Sequence, residues 1–103
     1  MSNDTEFLEQ LAALRRDYLV DCRADAATMR ACVADGRLDD VRRRAHRMRG
    51  TGATYGFAAL TTLGGDLELS AAARDVYRLV ALLDDLDRWL AAADDRAADK
   101  GPS

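Results

Sequence analysis

The residues best suited to chemistry lie in RRRAHRMRGTGATYGF, residues 42–57, where the chain's single histidine, His46, sits within a run of arginines that ends in small residues. A neutral imidazole nitrogen is a nucleophile that can accept a phosphoryl group and later release it. The reference pKa of histidine, about 6.5, leaves most such rings unprotonated at neutral pH. Arg42 and Arg43, four and three residues before His46, and Arg49, three residues after, are its neighbours on a helical surface. Their cations would offset the negative charge that a phosphorylated ring carries. Gly50, four residues after His46, leaves bare backbone where a bulky side chain would obstruct a docking partner, and with Ala53 it forms a shallow entrance. One ring nitrogen must be held by an acceptor while the other faces outward. Glu68, on the flank of a later helix, is the candidate acceptor.

Other chemistries find less support. One histidine without a close cysteine pair leaves only carboxylates as co-ligands, so no metal site is expected. Ser2, Ser70 and Ser103 lack the context of a hydrolytic nucleophile, neither cysteine has a neighbouring base, and no glycine-rich phosphate loop follows a strand. Cys22 and Cys32 stand about 15 Å apart along one helix, too far to bridge, and read as small core fillers. No cofactor is expected.

The elements that must position His46 read as helices throughout. Pro102 is the only proline, and alanine is abundant. Leu38, Val41, Ala45, Met48, Gly52 and Tyr55 recur with the three-four spacing of a buried stripe. His46 lies on another face, shared with Asp39, Arg42, Arg43, Arg49, Gly50 and Ala53. This second helix starts near Leu38, with Asp39 and Asp40 in the first turn where the helix dipole favours acids, and ends at Gly56. The first helix is predicted from about Asp4 to Asp35. Its seam is Phe7, Leu11, Leu14, Tyr18, Cys22, Ala26, Met29 and Val33, Gly36 is its left-handed stop, and the thin stretch Asp21 to Asp25 is where it would bend.

A third helix spans about Phe57 to Ala73, with Leu60, Leu63, Leu67 and Ala71 facing inward. Gly64 and Gly65 in its middle cost about 1 kcal/mol each relative to alanine, which points to close approach by a neighbour that spacing alone does not identify. Asp75 is placed to cap a fourth helix with the seam Val76, Leu79, Leu83, Leu86, Leu90 and Ala93, and with Trp89 at its edge. Beyond about Ala97 the polar tail should fray. Four seams joined by short turns give an all-α, antiparallel up-down-up-down four-helix bundle.

With 103 residues, 49% hydrophobic and 32% charged, the chain has room for one domain, residues 1–103 with an ordered core at about 4–97. No apolar run approaches the roughly 20 residues that cross a bilayer. The stretch Met1 to Gln10 carries three acids and no basic side chain, unlike a signal peptide. A cytoplasmic location with no membrane partner follows. Closing four seams on one another leaves no apolar face for a dimer, so a monomer is expected.

Net charge is −3, but it is unevenly spread. Arg37 to Arg49 holds six arginines against Asp39 and Asp40, whereas Asp75 to Asp99 holds seven acids against Arg78, Arg88 and Arg96. A nucleic-acid binder spreads positive charge over a wide face and adds exposed aromatics. The local basic patch better suits a phosphoryl group or a small anionic site on a partner. Arg44 and Arg47 read as solubilising charge, and Tyr55 and Phe57 as packing residues.

These residues also carry a resemblance. AHRMRGTGATYGFAAL followed by GGDLE resembles the signature of histidine-containing phosphotransfer (HPt) domains, with Ala45, His46, Gly50, Gly56 and Leu60 in register. The match extends weakly over most of the chain. The resemblance implies a four-helix bundle whose exposed histidine carries phosphate between aspartates of receiver domains, with no kinase domain of its own. His46 would be the phosphorylated residue and Gly50 part of the docking surface. The partners would be response-regulator receiver domains and a hybrid histidine kinase, with Mg²⁺ expected on the receiver only. Three departures stand out: Arg49 replaces the usual lysine with a planar fork, Gly52 replaces a small hydroxyl residue, and Glu68 stands where many members have glutamine. The alternative to transfer is a module that binds receivers without passing phosphate on. A plain bundle contacting nucleic acid would instead bind according to its arginine count.

Overall fold

The computed structural model describes residues 2–99, with side chains over residues 3–93. Four helices follow in order: α1 Ser2–Ala34, α2 Leu38–Thr54, α3 Ala58–Ala72 and α4 Val76–Asp99. There is no strand among the described residues. α1 is one unbroken helix through Asp21 to Asp25. The tail expected to fray after about Ala97 stays helical to Asp99, and the remainder lies outside the described residues.

The three corners share one construction. A bond closes the last turn from Arg37 N to Cys32 O (2.8 Å), from Phe57 N to Gly52 O (2.8 Å) and from Asp75 N to Ser70 O (2.9 Å), the six-to-one bond that satisfies an orphan carbonyl at a helix end. Each corner requires one left-handed residue. Gly36 and Gly56 supply it at φ +75° and +81°, but at the third corner it is Arg74, at φ +58°. No glycine marks that corner in the sequence. The next helix then starts on Asp75, whose Oδ1 accepts from Arg78 N at 3.1 Å, the expected cap.

α1 and α2 run in opposite directions, as do α2 and α3. Along α1 and α2, Tyr18 meets Thr51 whereas Asp25 meets Arg44. Along α2 and α3, Gly52 meets Leu60 whereas His46 meets Glu68. Arg30 of α1 forks to Asp84 and Asp87 of α4. The core between them is built largely from the expected seams, although Val76, placed on the α4 seam, is exposed and Leu82 is buried. Met29, Val41, Ala45, Leu60, Leu67, Leu79 and Leu86 are fully buried, and burial of such side chains, worth about 1.5–3 kcal/mol each, is what holds a bundle together. Tyr18, Tyr55, Phe57 and Trp89 close one end. Tyr18 stacks on Tyr55 at 4.4 Å, and Phe57 meets Trp89 edge-on at 5.6 Å.

The beginning of α1 departs from expectation. Phe7, Leu8 and Leu14 are 62%, 62% and 53% exposed, and Leu11 is only half-buried. α1 has 33 residues against 17 in α2, about 50 Å of helix against 25 Å. Because Arg15 already lies beside Tyr55, just past the end of α2, the turns before it project beyond that helix. The seam is real, but its first part extends past α2, and Phe7, Leu8 and Leu14 are left exposed, an apolar face that the expectation of a monomer did not allow for.

Candidate functional site

α2 presents the two faces that its periodicity predicts. Leu38, Val41, Ala45, Met48 and Gly52 are buried, while Asp39, Arg42, Arg43, His46, Arg49, Gly50 and Ala53 are all exposed. An alanine directly before His46 lets α2 sit close on the core, and the ring stands on the opposite side with 66% of its side chain exposed.

The acceptor for the ring is delivered by α3, and glycine makes this possible. A Cβ on Gly64 would lie 2.7 Å from Arg49 N and 3.0 Å from Ala45 O, so the backbones approach more closely than any side chain permits. A second notch lies further along the interface, where a Cβ on Gly52 would come within 2.9 Å of Leu60 Cβ. The close neighbour that the glycine pair of α3 called for is therefore the His46 segment of α2. Gly65 lies against the Arg49 stem, a Cβ there being 3.5 Å from Arg49 Cδ.

Glu68 follows Gly64 by one turn on the same side of α3. Its Oε2 lies 2.8 Å from His46 Nδ1, and its Oε1 accepts from an Arg49 terminal nitrogen at 3.2 Å. With a side chain only 19% exposed, Glu68 sits between helices, one oxygen for the ring and one for the guanidinium. An ionised carboxylate only accepts, so Nδ1 carries the proton and the Nε2 lone pair is unengaged. Arg49 spends one of its five donors on Glu68 and keeps the rest toward solvent.

The other arginines divide. Arg43 is drawn to Asp40, one turn back on its own helix. Arg42 shares the exposed face without an ion pair among the described residues. Arg44 is not merely solubilising: it donates to Asp25 of α1 at 2.8 Å and ties α2 to the helix opposite α3. A Cβ on Gly50 would meet nothing within 4 Å, so the surface one turn beyond His46 is open, with exposed Ala53 following it. Sequence reasoning brought together His46, Arg49 and Glu68 and left out Gly64, although its signal, a costly glycine in mid-helix, was visible.

Among the described residues no three His, Cys, Asp or Glu side chains gather as a metal ion would require, and no helix is long and apolar enough to cross a membrane. Neither the comparison with curated proteins nor that with solved structures found a match. Among protein families, the model described as "Hpt domain" matches residues 13–96.

Proposed function

Since the chain belongs to the Hpt domain family, the histidine phosphotransfer modules of two-component systems, we propose that it is a phosphocarrier whose His46 accepts a phosphoryl group from a receiver-domain aspartate and passes it to another. The observation that carries this reading is the hydrogen bond of 2.8 Å from His46 Nδ1 to Glu68 on a ring that is otherwise open to solvent.

In the transfer step the Nε2 lone pair attacks phosphorus, an N–P bond forms, and the P–O bond to the aspartate breaks, leaving a carboxylate. No proton has to leave the ring. Nδ1 keeps its hydrogen on Glu68, and the carboxylate stabilises the positive charge that develops on the imidazole. Arg49 and Arg42 supply cations for the incoming phosphoryl oxygens, and Arg43 contributes charge at the edge of the docking face. Gly50 and Ala53 give a receiver's surface room to come within bonding distance of Nε2. The reverse sequence delivers the group to the next aspartate. Mg²⁺ belongs to the receiver in this scheme, and its partners are response-regulator receivers, including one attached to a hybrid histidine kinase.

The test is to mix the protein with a ³²P-labelled receiver and Mg²⁺. An acid-labile label should move to the wild type and be absent from His46→Gln. A chain that binds the receiver with either residue but never takes up label would instead be a docking module.

A further inference from the structure

Where α1, α4 and the corner between α2 and α3 meet, a groove of about 430 Å³ opens, within the roughly 300–1,000 Å³ typical of small-molecule sites. Its walls are largely apolar: Ala12 and Leu19 of α1, Phe57 and Ala58 of the corner, and Trp89 of α4. The Phe57 and Trp89 rings meet edge-on at 5.6 Å, so the groove offers aromatic surface in two orientations. Around α1, at about 100° per residue, Arg15 and Arg16 fall on opposite sides of the stripe formed by Ala12 and Leu19, and both line the groove.

The Arg15 guanidinium is held in advance of any ligand. Its Nε–H donates to Tyr55 O at 3.0 Å, and its central carbon lies 5.8 Å from the Phe57 ring centre. It fills the space that a side chain on Gly56 would take, a Cβ there coming within 2.9 Å of one terminal nitrogen. The terminal N–H groups are left for a second acceptor. Arg30, Arg44 and Arg49 are paired with carboxylates, whereas neither Arg15 nor Arg16 has an acidic partner among the described residues. Among those residues no acid lines the groove either. Aromatic walls beside two guanidinium groups without counter-charge complement a guest that is flat, apolar and anionic. We propose that the groove binds a small aromatic carboxylate, its ring against Phe57 and Trp89 and its carboxylate on the Arg15 terminal nitrogens, with Arg16 adding charge from the other rim. An inorganic anion would leave the apolar walls in water. An anionic membrane surface would be repelled by Asp4, Glu6 and Glu9, which precede the groove with no basic side chain among them.

The only tryptophan of the chain, Trp89, lines the groove, so its indole N–H gives a single NMR signal at the site. Titration of the full chain with 2-naphthoate needs no receiver and no phosphate, and its result is therefore independent of the proposed transfer. The indole signal should shift and saturate, with a Kd on the order of 1 mM or tighter, as expected for so small a ligand. The uncharged 2-naphthalenemethanol should bind at least about tenfold more weakly, and acetate, which has the charge without the ring, should not move the signal. Arg15→Gln should weaken naphthoate binding about tenfold and Arg16→Gln about threefold. Both side chains are exposed, so helicity should be retained. Ala58→Leu, which places a larger side chain in the groove, should abolish binding. The proposal is overturned if naphthoate leaves the indole signal unmoved, if the alcohol binds as tightly, if both arginine variants bind like the wild type, or if anionic phospholipid vesicles shift the signal where naphthoate does not.

Discussion

His46 and Glu68 stand on different helices, twenty-two residues apart in the chain, and their Nδ1 and Oε2 atoms are 2.8 Å apart. A carboxylate in that position decides which ring nitrogen holds the proton. It leaves to the other the lone pair that bond formation to phosphorus requires. Because the same carboxylate also holds Arg49, the orientation of the ring and the placement of the nearest cation depend on one side chain.

Removing that side chain should therefore change the tautomer before it changes the fold. In ¹⁵N NMR at neutral pH, wild-type His46 should show its proton on Nδ1. Glu68→Ala should lose that preference and slow phosphoryl uptake roughly tenfold, equivalent to one hydrogen bond of about 1.4 kcal/mol. Glu68→Gln, whose amide oxygen still accepts, should keep the tautomer and most of the rate. Equal tautomer populations in all three proteins would show that Glu68 does not orient the ring.

The two glycines flanking the site should respond in opposite directions. Gly64→Ala forces a Cβ against the Arg49 and Ala45 backbone, and overpacking of this kind costs about 1–3 kcal/mol; it should lower the denaturation midpoint and the transfer rate together. Gly50→Ala meets open space and should raise stability by about 0.5–1 kcal/mol through helix propensity while weakening receiver binding. Chemical denaturation paired with a receiver titration separates the two effects.

Arg74 holds a left-handed conformation, φ +58°, at the corner between α3 and α4, where the other two corners use glycine. An L side chain there costs about 1 kcal/mol. Arg74→Gly should recover most of that, and thermal unfolding should show a higher midpoint. An unchanged or lower midpoint would mean that the arginine side chain compensates for its own backbone strain.

Stability should decline in alkali. Burial pushes the Cys22 thiol up to about 11, against an opposing hydrogen bond from Tyr18, and burial likewise raises the Tyr18 phenol. The folded state thus keeps protons that the unfolded chain releases. The stability present below the ordinary thiol range is lost as pH rises through about 11. Denaturant midpoints measured from neutral pH upward should fall over that window, and Cys22→Ala should fall less steeply than the wild type.

Much of this was legible from residue spacing. The α2 stripe of Leu38, Val41, Ala45 and Met48 is buried as its periodicity requires, Gly36 and Gly56 end their helices in the left-handed region, and His46 emerges on the polar side. Each of these depends on residues three or four apart, a range over which helix geometry is set by local bonds. The end of α3 near Ala73 was legible as well, but its left-handed residue was not, because the general preference for glycine at such corners is overridden at Arg74.

Relations between helices were decided only by packing. No spacing rule says that Gly64 abuts Ala45 and Arg49, that Arg44 pairs with Asp25, or that α1 outruns α2 and leaves Phe7 and Leu8 exposed. Periodicity states which face of a helix is apolar, but not which partner covers it or how far along, since those follow from the lengths and contact surfaces of all four helices together. Glu68 could be named from the sequence as an acceptor. That it also grips Arg49, and reaches the ring because two glycine notches draw α3 against α2, became visible only in three dimensions.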